Sequence, residues 1–240
     1  MAYLVSVSGL SHTYAMNGSS SLALRRVDLE VAAGERVAVM GRSGSGKTTL
    51  LNILAGLETP STGRVLIDGR ELTRANRRER EAYRRSIVGY VWQQPEDGLL
   101  PGLTALENVL VPVLGGRGSG AEHVTGALHL LDALRLGERL HERPAQLSPV
   151  EMQRLAVAVA LANQPMLLLA DELTARLDWS VARELLGDLT ALLARLGTAA
   201  VLVTHDPRVA RYVDRALMIR DGVAVAAPPE PGIAGARSAR

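Results

Sequence analysis

Lys47 is the only lysine in the chain; every other basic residue, of 27 in total, is arginine. It lies in "GRSGSGKT", residues 41–48, after the apolar run "RVAVM" and before "KTTLLNILAGL", whose apolar residues recur at helical spacing. The string fits G-x-x-x-x-G-K-[ST] in the strand–loop–helix setting that the motif requires. Gly41, Gly44 and Gly46 let the backbone approach an anion closely. Residues Gly41, Arg42, Ser43, Gly44, Ser45, Gly46, Lys47, Thr48 and Thr49 then form a cradle of N–H groups at a helix N-terminus, suited to nucleotide phosphates. A lysine there supplies a compact charge on a slim stem that reaches the β- and γ-phosphates. An arginine would bring a broad planar fork that crowds the loop. Thr48 offers a hydroxyl to Mg²⁺. The plain alternative is a glycine-rich turn with a surface lysine, and the flanking strand and helix weigh against it.

A second cluster of chemistry ends the run "MLLLADE". Asp171 is placed to hold the water shell of the metal, and Glu172 to polarise a water attacking the γ-phosphate. An apolar strand ending in two acids is common by itself; the upstream loop gives the pair its meaning. Together they specify a nucleotide site but no particular reaction, because kinases, GTPases and transport motors share these parts.

These residues need a scaffold that brings distant segments to one edge. The apolar runs "RVAVM", "SIVGYVWQQ", "MLLLADE" and "AAVLVTHD" read as strands, and "WSVARELLGDLTALLARLG" as an amphipathic helix between two of them. Alternating strands and helices predict an α/β domain with a mainly parallel core sheet. "YLVSVSGLSHTY" and "LRRVDLEV" read as two further strands, and "STGRVLIDGREL" as one strand with a turn at either end. Residues 74–85 read as a charged, solvated helix, and a helical pattern resumes over 121–136. "GGRGSG" at 115–120 reads as a flexible loop, and "RALMIRDGVAV" as a hairpin-like pair. Ser148 and Pro149 are suited to the N-cap and first position of a helix running through "SPVEMQRLAVAVALANQ". Gly56 is a helix stop. The tail from 226 to 240, rich in Pro, Gly and Ala, reads as disordered. No internal repeat is visible.

Composition sets outer limits. The chain has 240 residues with 47% apolar content, enough for one sizeable domain, and no phenylalanine, so Leu, Val, Ala and Ile must fill the core. The absence of cysteine excludes disulfides and thiolate metal sites. A formal net charge of +2, without a basic stripe, argues against a nucleic-acid partner. The start lacks the pattern of a signal peptide. The longest apolar runs fall short of the roughly 20 residues that span a bilayer. The expectation is a cytoplasmic chain that reaches a membrane only through another polypeptide.

Further short motifs then fall in order, and together with the phosphate loop and the Asp171–Glu172 pair they resemble the ABC-type ATPase family. Gln93 matches that family's Q-loop glutamine, "LSPVEMQR" stands in the place of the LSGGQ signature, and "LTARLD" resembles the D-loop with Asp178 as its acid. His205 in "VTHD" matches the switch histidine, and Tyr14 the aromatic that stacks on adenine. The resemblance covers residues 1–225 and implies a P-loop fold of ABC type. That fold has a mainly parallel core sheet, an antiparallel β subdomain and a helical subdomain at about 95–160. It implies ATP and Mg²⁺ as ligands, with Thr48, Gln93 and Asp171 around the metal. It implies Lys47, Glu172, His205 and Asp178 as catalytic, and Ser148 as a contact to the ATP of a facing chain. The implied partners are integral membrane permease subunits and a second ATPase chain, identical or different. "LLPGLTALENVLVPVL", "RPAQLS" and "LLADELTARLD" look like the subfamily serving lipoprotein release, macrolide export and cell division.

The chain also departs from that family. The signature reads Leu147, Ser148, Pro149, Val150, Glu151, so both glycines are gone and Pro149 has no N–H to donate. Losing one preorganised donor at a transition-state oxygen costs about 3 kcal/mol, roughly a hundredfold in rate. Turnover is therefore expected to be slow where this signature is used. Leu173 replaces the usual proline after the acid pair, and Arg176 is a bulky D-loop residue. "QPEDG" after Gln93 carries two extra residues where a membrane partner is expected. A soluble ATPase acting on DNA or ribosomes would carry a coiled-coil insertion or tandem units, and neither is present. A small-molecule kinase would leave Gln93, Asp178 and His205 unexplained. A binding-only subunit is favoured by the signature and opposed by Glu172.

Overall fold

The computed structural model describes residues 3–16, 19–114 and 119–226. Five short apolar segments form a parallel sheet. They are β3 (Arg36–Met40), β6 (Val88–Val91), β7 (Leu167–Asp171), β8 (Ala199–Thr204) and β9 (Arg215–Arg220), with β10 (Val223–Ala226) pairing antiparallel at one edge. The order across the sheet is β10-β9-β3-β8-β7-β6. A second sheet, wholly antiparallel, has the order β2-β1-β4-β5. Its strands are β1 (Val5–Met16), β2 (Ser19–Val31), β4 (Thr62–Ile67) and β5 (Arg70–Glu71). Among the described residues six α-helices complete the fold: α1 (Lys47–Leu54), α2 (Arg77–Ser86), α3 (Ala105–Leu110), α4 (Gly120–Ala133), α5 (Pro149–Leu161) and α6 (Trp179–Leu196).

Both faces of the parallel sheet are covered, which is why its strands read as unbroken apolar runs. Leu168 and Ala170 of β7 and Ala200 and Leu202 of β8 point into one core with α3, α4, α5 and α6. Leu167, Leu169, Val201 and Val203 point into a second core with α1 and the antiparallel sheet. The period-two alternation of a strand thus sorts neighbouring residues of one run into different cores. On the helical side, Arg154 of α5 is 5% exposed and bonds Asp188 of α6 at 2.7 Å and the Leu134 carbonyl at 3.0 Å. This pins α5, and the segment leading into it, to the sheet-bound α6.

The helical starts follow their local chemistry. Ser148 caps α5 and Pro149 occupies its first position, as the sequence indicates. Gly56 adopts φ +67 just past α1, a left-handed stop that glycine makes without strain. Several expectations need correction. "STGRVLIDGREL" is two strands, because Asp68 and Gly69, at φ 48 and 72, turn the chain back into the hairpin β4–β5. The charged helix starts at Arg77, where Asn76 forms a capping box with Glu79. Ser119 caps α4, so the loop gives way to helix at Gly120; residues 115–118 of that loop lie outside the described residues. Helix α3, capped by Thr104 and Glu107, has no counterpart in the sequence reading. The tail beyond residue 226 also lies outside the described residues. No helix among the described residues is long and apolar enough to cross a membrane.

Candidate functional site

Parallel strands present their C-terminal ends along one edge, and in open α/β sheets ligands bind there. At this edge β3 runs into the loop 41–46, β6 leads to Gln93, β7 ends in Asp171 and Glu172, and β8 leads to His205. The register places Met40 opposite Thr204 and Asp171 opposite Val203, so the strand ends are level. The result is a cleft of about 710 Å³ lined by Tyr14, Arg42, Ser43, Gly44, Lys47, Thr48, Thr49, Gln93, Glu172 and His205 among others.

Backbone geometry shapes the loop. Gly46 caps α1 at φ 103, and a Cβ there would lie 2.3 Å from the Ala23 carbonyl oxygen of β2. Only glycine fits that approach, which places the N-terminus of α1 against the cleft. Lys47 is 6% exposed, and its Nζ donates to the carbonyls of Gly41 at 2.9 Å and Arg42 at 3.0 Å. With Glu172 Oε1 at 3.9 Å, the ammonium sits between the loop and the carboxylate. Ser45 is buried, and its Oγ lies beneath the loop within 2.7 Å of where a Gly41 Cβ would fall.

Thr48 Oγ1 donates to Asp171 Oδ2 at 2.8 Å, while Asp171 Oδ1 is buried with no hydrogen-bond partner. Burial pushes the Asp171 carboxyl above the usual range, the Thr48 hydrogen bond lowers it, and nearby Glu172 raises it further. A hydroxyl, a carboxylate with an unused buried oxygen and the Gln93 side chain at the cleft make an all-oxygen donor set. Such a set suits a hard divalent cation, so these residues fit Mg²⁺.

Glu172 occupies φ 48, unusual for a residue with a β-carbon, and its backbone N–H is held by the Val203 carbonyl at 2.9 Å. Such a conformation costs about 1–3 kcal/mol and persists where the surroundings over-determine it. Its carboxylate accepts from His205: Nδ1 lies 2.8 Å and the backbone N 3.4 Å from Oε2. The histidine therefore fixes the direction of the carboxylate, the arrangement a positioned general base needs.

Two residues named from the sequence lie elsewhere. Asp178 is exposed at the N-cap of α6, and Ser148 is exposed at the start of α5; neither is among the residues lining the cleft. Ser148 Oγ donates to Glu151 Oε2 at 2.6 Å and accepts from the Glu151 N–H, and Glu151 also accepts from Arg139 at 2.9 Å. Tyr14 does line the cleft, and its ring meets His12 edge-on at 4.6 Å. Its hydroxyl donates to Glu58 Oε2 at 2.6 Å, and burial, followed by this bond, pushes the phenol above its ordinary pKa. The sequence reading missed Glu58, which accepts from that hydroxyl, Asn52 and His12, which meet Glu58, and Tyr90, which bonds Asn52. No motif marks them, since they come from four separate elements.

Residues 24–175 match the family model described as "ABC transporter". This chain belongs to the ABC transporter family. Among curated relatives it is 42% identical to the lipoprotein-releasing system ATP-binding protein LolD of Pseudomonas fluorescens, over 93% of this chain and 97% of that one. It is 45% identical to the macrolide export ATP-binding/permease protein MacB of Marinobacter nauticus, over 83% of this chain but only 30% of that larger protein. Among solved structures it is similar to the dimeric bacterial ABC transporter cassette MJ0796, with TM-score 0.84, 38% identity and coverage of 91% and 95%. A post-hydrolysis dimer of the same cassette, bound to ADP and Pi, matches with TM-score 0.84 and 38% identity over 92% and 98% of the two chains. The fold is that of ABC cassettes, as the motif order indicates.

Proposed function

We propose that this chain is the ATP-hydrolysing motor subunit of a membrane complex, a peripheral protein on the cytoplasmic face that drives separate permease subunits. The observation that carries this reading is one cleft lined by Lys47 on the loop, by Thr48, which bonds the buried Asp171, and by the Glu172–His205 pair. In the proposed reaction the loop N–H groups and Lys47 grip the triphosphate. Thr48, Asp171 and Gln93 would hold Mg²⁺, which when bound would supply charge neutralisation to the phosphates. Glu172, aimed by His205, accepts a proton from the attacking water; the water oxygen bonds to the γ-phosphorus as the bond from that phosphorus to the ADP oxygen breaks, leaving ADP and phosphate. Asp178 and Ser148 act from the surface, Ser148 on the nucleotide of a facing chain. The dimeric cassettes among the related structures support this arrangement.

The altered signature favours a second reading within the same class. With Pro149 and Val150 in place of two glycines, a self-paired dimer turns over slowly, and the chain then serves as a slow or regulatory partner of a different ATPase chain. The test of the main reading is Glu172→Gln. The variant should bind Mg·ATP like the parent while steady-state phosphate release falls about 10³-fold, within the range of a lost general base. Unchanged phosphate release would remove Glu172 from this role.

A further inference from the structure

Tyr14 carries more hydrogen bonding than a stacking aromatic requires. A ring that stacks on a base needs only its face, yet this one has its hydroxyl 2.6 Å from Glu58 Oε2 and 3.3 Å from Thr49 Oγ1. Thr49 belongs to the first turn of α1, so the hydroxyl ties strand β1 to the phosphate-binding helix. Glu58 lies beyond the C-terminus of that helix and is itself held from other directions. Asn52 Nδ2 donates to Glu58 Oε1 at 2.9 Å, and His12 Nε2 lies 3.5 Å from Glu58 Oε2. Asn52 is in turn fixed by Tyr90, whose hydroxyl donates to Asn52 Oδ1 at 3.2 Å. Tyr90 stands on β6 with its ring 4.4 Å from Trp92, the residue before Gln93.

We propose that Glu58 is the positioning residue for the base-stacking ring of Tyr14, holding that ring at the cleft edge through its hydroxyl. The inference rests on Tyr14 being the aromatic that stacks on adenine. The physical reason is rotational. A half-exposed tyrosine at the end of a long hairpin is free to turn about its side-chain bonds, and stacking on a base must then offset that lost freedom. A carboxylate that already accepts the phenolic proton fixes the ring before the base arrives. The two oxygens of Glu58 divide the work, one taking Tyr14 and the other anchored by Asn52, so the acceptor is itself fixed.

The test separates base from phosphate recognition. Affinities of Mg·ATP and of Mg·tripolyphosphate, which has no base, are measured by calorimetry on the full chain. Glu58→Ala should weaken Mg·ATP about three- to tenfold, a part of what one aromatic stack contributes, and leave tripolyphosphate unchanged. Tyr14→Phe should show the same selective loss, and the Tyr14→Phe, Glu58→Ala double variant should lose no more than either single one, because both remove one interaction. Glu58→Gln, which keeps the size of the side chain, covers the case in which alanine unfolds the segment; it should lose ATP affinity selectively but by less. Equal losses for ATP and tripolyphosphate, or a full additive loss in the double variant, would overturn the role of Glu58. Tyr14→Ala reports separately on the underlying reading. A loss for ATP alone keeps Tyr14 as the stacking aromatic, whereas no selective loss removes it and the inference about Glu58 with it.

Discussion

Two helix starts carry the chemistry assigned to this chain, and they are built in opposite ways. At α1 the start is open. Gly46 lets the backbone pack against β2 while the N–H groups face a cleft, and Lys47, Thr48 and Glu172 already stand around it. At α5 the start is closed on itself. Ser148 spends its hydroxyl proton on Glu151, Glu151 takes the Ser148 N–H as well, Arg139 neutralises the carboxylate, and Pro149 brings no N–H. The comparison teaches that one start leaves its backbone groups facing a cleft while the other satisfies its own; on the proposed reading the first holds a nucleotide and the second serves another chain's site poorly. A capping box stabilises a helix by satisfying the same groups that an external anion would need.

The contrast can be broken at either end. The largest effect is expected at the open start. Lys47→Ala should weaken Mg·ATP by about a hundredfold, the equivalent of roughly 3 kcal/mol for a charged hydrogen-bond donor to phosphate. Equal affinity in parent and variant, by calorimetry, would end the assignment of the cleft. At the closed start, Pro149→Gly with Val150→Gly should raise steady-state phosphate release of the self-paired chain by up to about a hundredfold, the scale of one restored donor. Nucleotide affinity of the monomer should not move. If release stays at the parent level, the signature does not limit turnover.

The smallest effect sharpens the comparison. Glu151→Ala removes the capping box and should lower stability by about 1 kcal/mol, or about 2–4 °C in Tm for a chain of this size. The sign with pH follows from the Ser148 hydroxyl, the Ser148 N–H and Arg139, which hold the Glu151 carboxyl below its usual range. Its folded-state pKa lies below the unfolded value of about 4.3. The contribution is therefore present above that value and lost as pH falls through the folded pKa. The variant should lie below the parent near pH 7 and converge on it as pH falls through the folded-state pKa, read by thermal melts, with Mg·ATP affinity unchanged at pH 7. A loss of nucleotide affinity would mean that the two helix starts are not independent.

The core strands were legible because each is short, apolar and followed by residues with distinct chemistry. Lys47, Asp171, Glu172, Gln93 and His205 were legible because motif and strand end coincide, and the parallel register then brings them together. The hairpin β4–β5 was hidden because its second strand is only the two charged residues Arg70–Glu71, too few to show an alternation. Helix α3 was hidden because six residues are too few to show a period. Glu58 carries no local signal, and its meaning comes from an Asn six residues back and a Tyr forty-four residues back.

By itself the sequence determined the chemistry that depends on spacing along the chain: the glycine-wrapped loop with its one lysine, the acid pair at a strand end and the cap at Ser148. These are local, because backbone freedom, helix starts and period-two burial act over a few residues. Only the tertiary structure decided that Thr48 bonds Asp171, that His205 aims Glu172 from a left-handed backbone, and that Glu58 holds Tyr14. Hydrogen bonds between side chains far apart in sequence depend on strand order and on a register of ångströms, which no stretch of residues encodes alone.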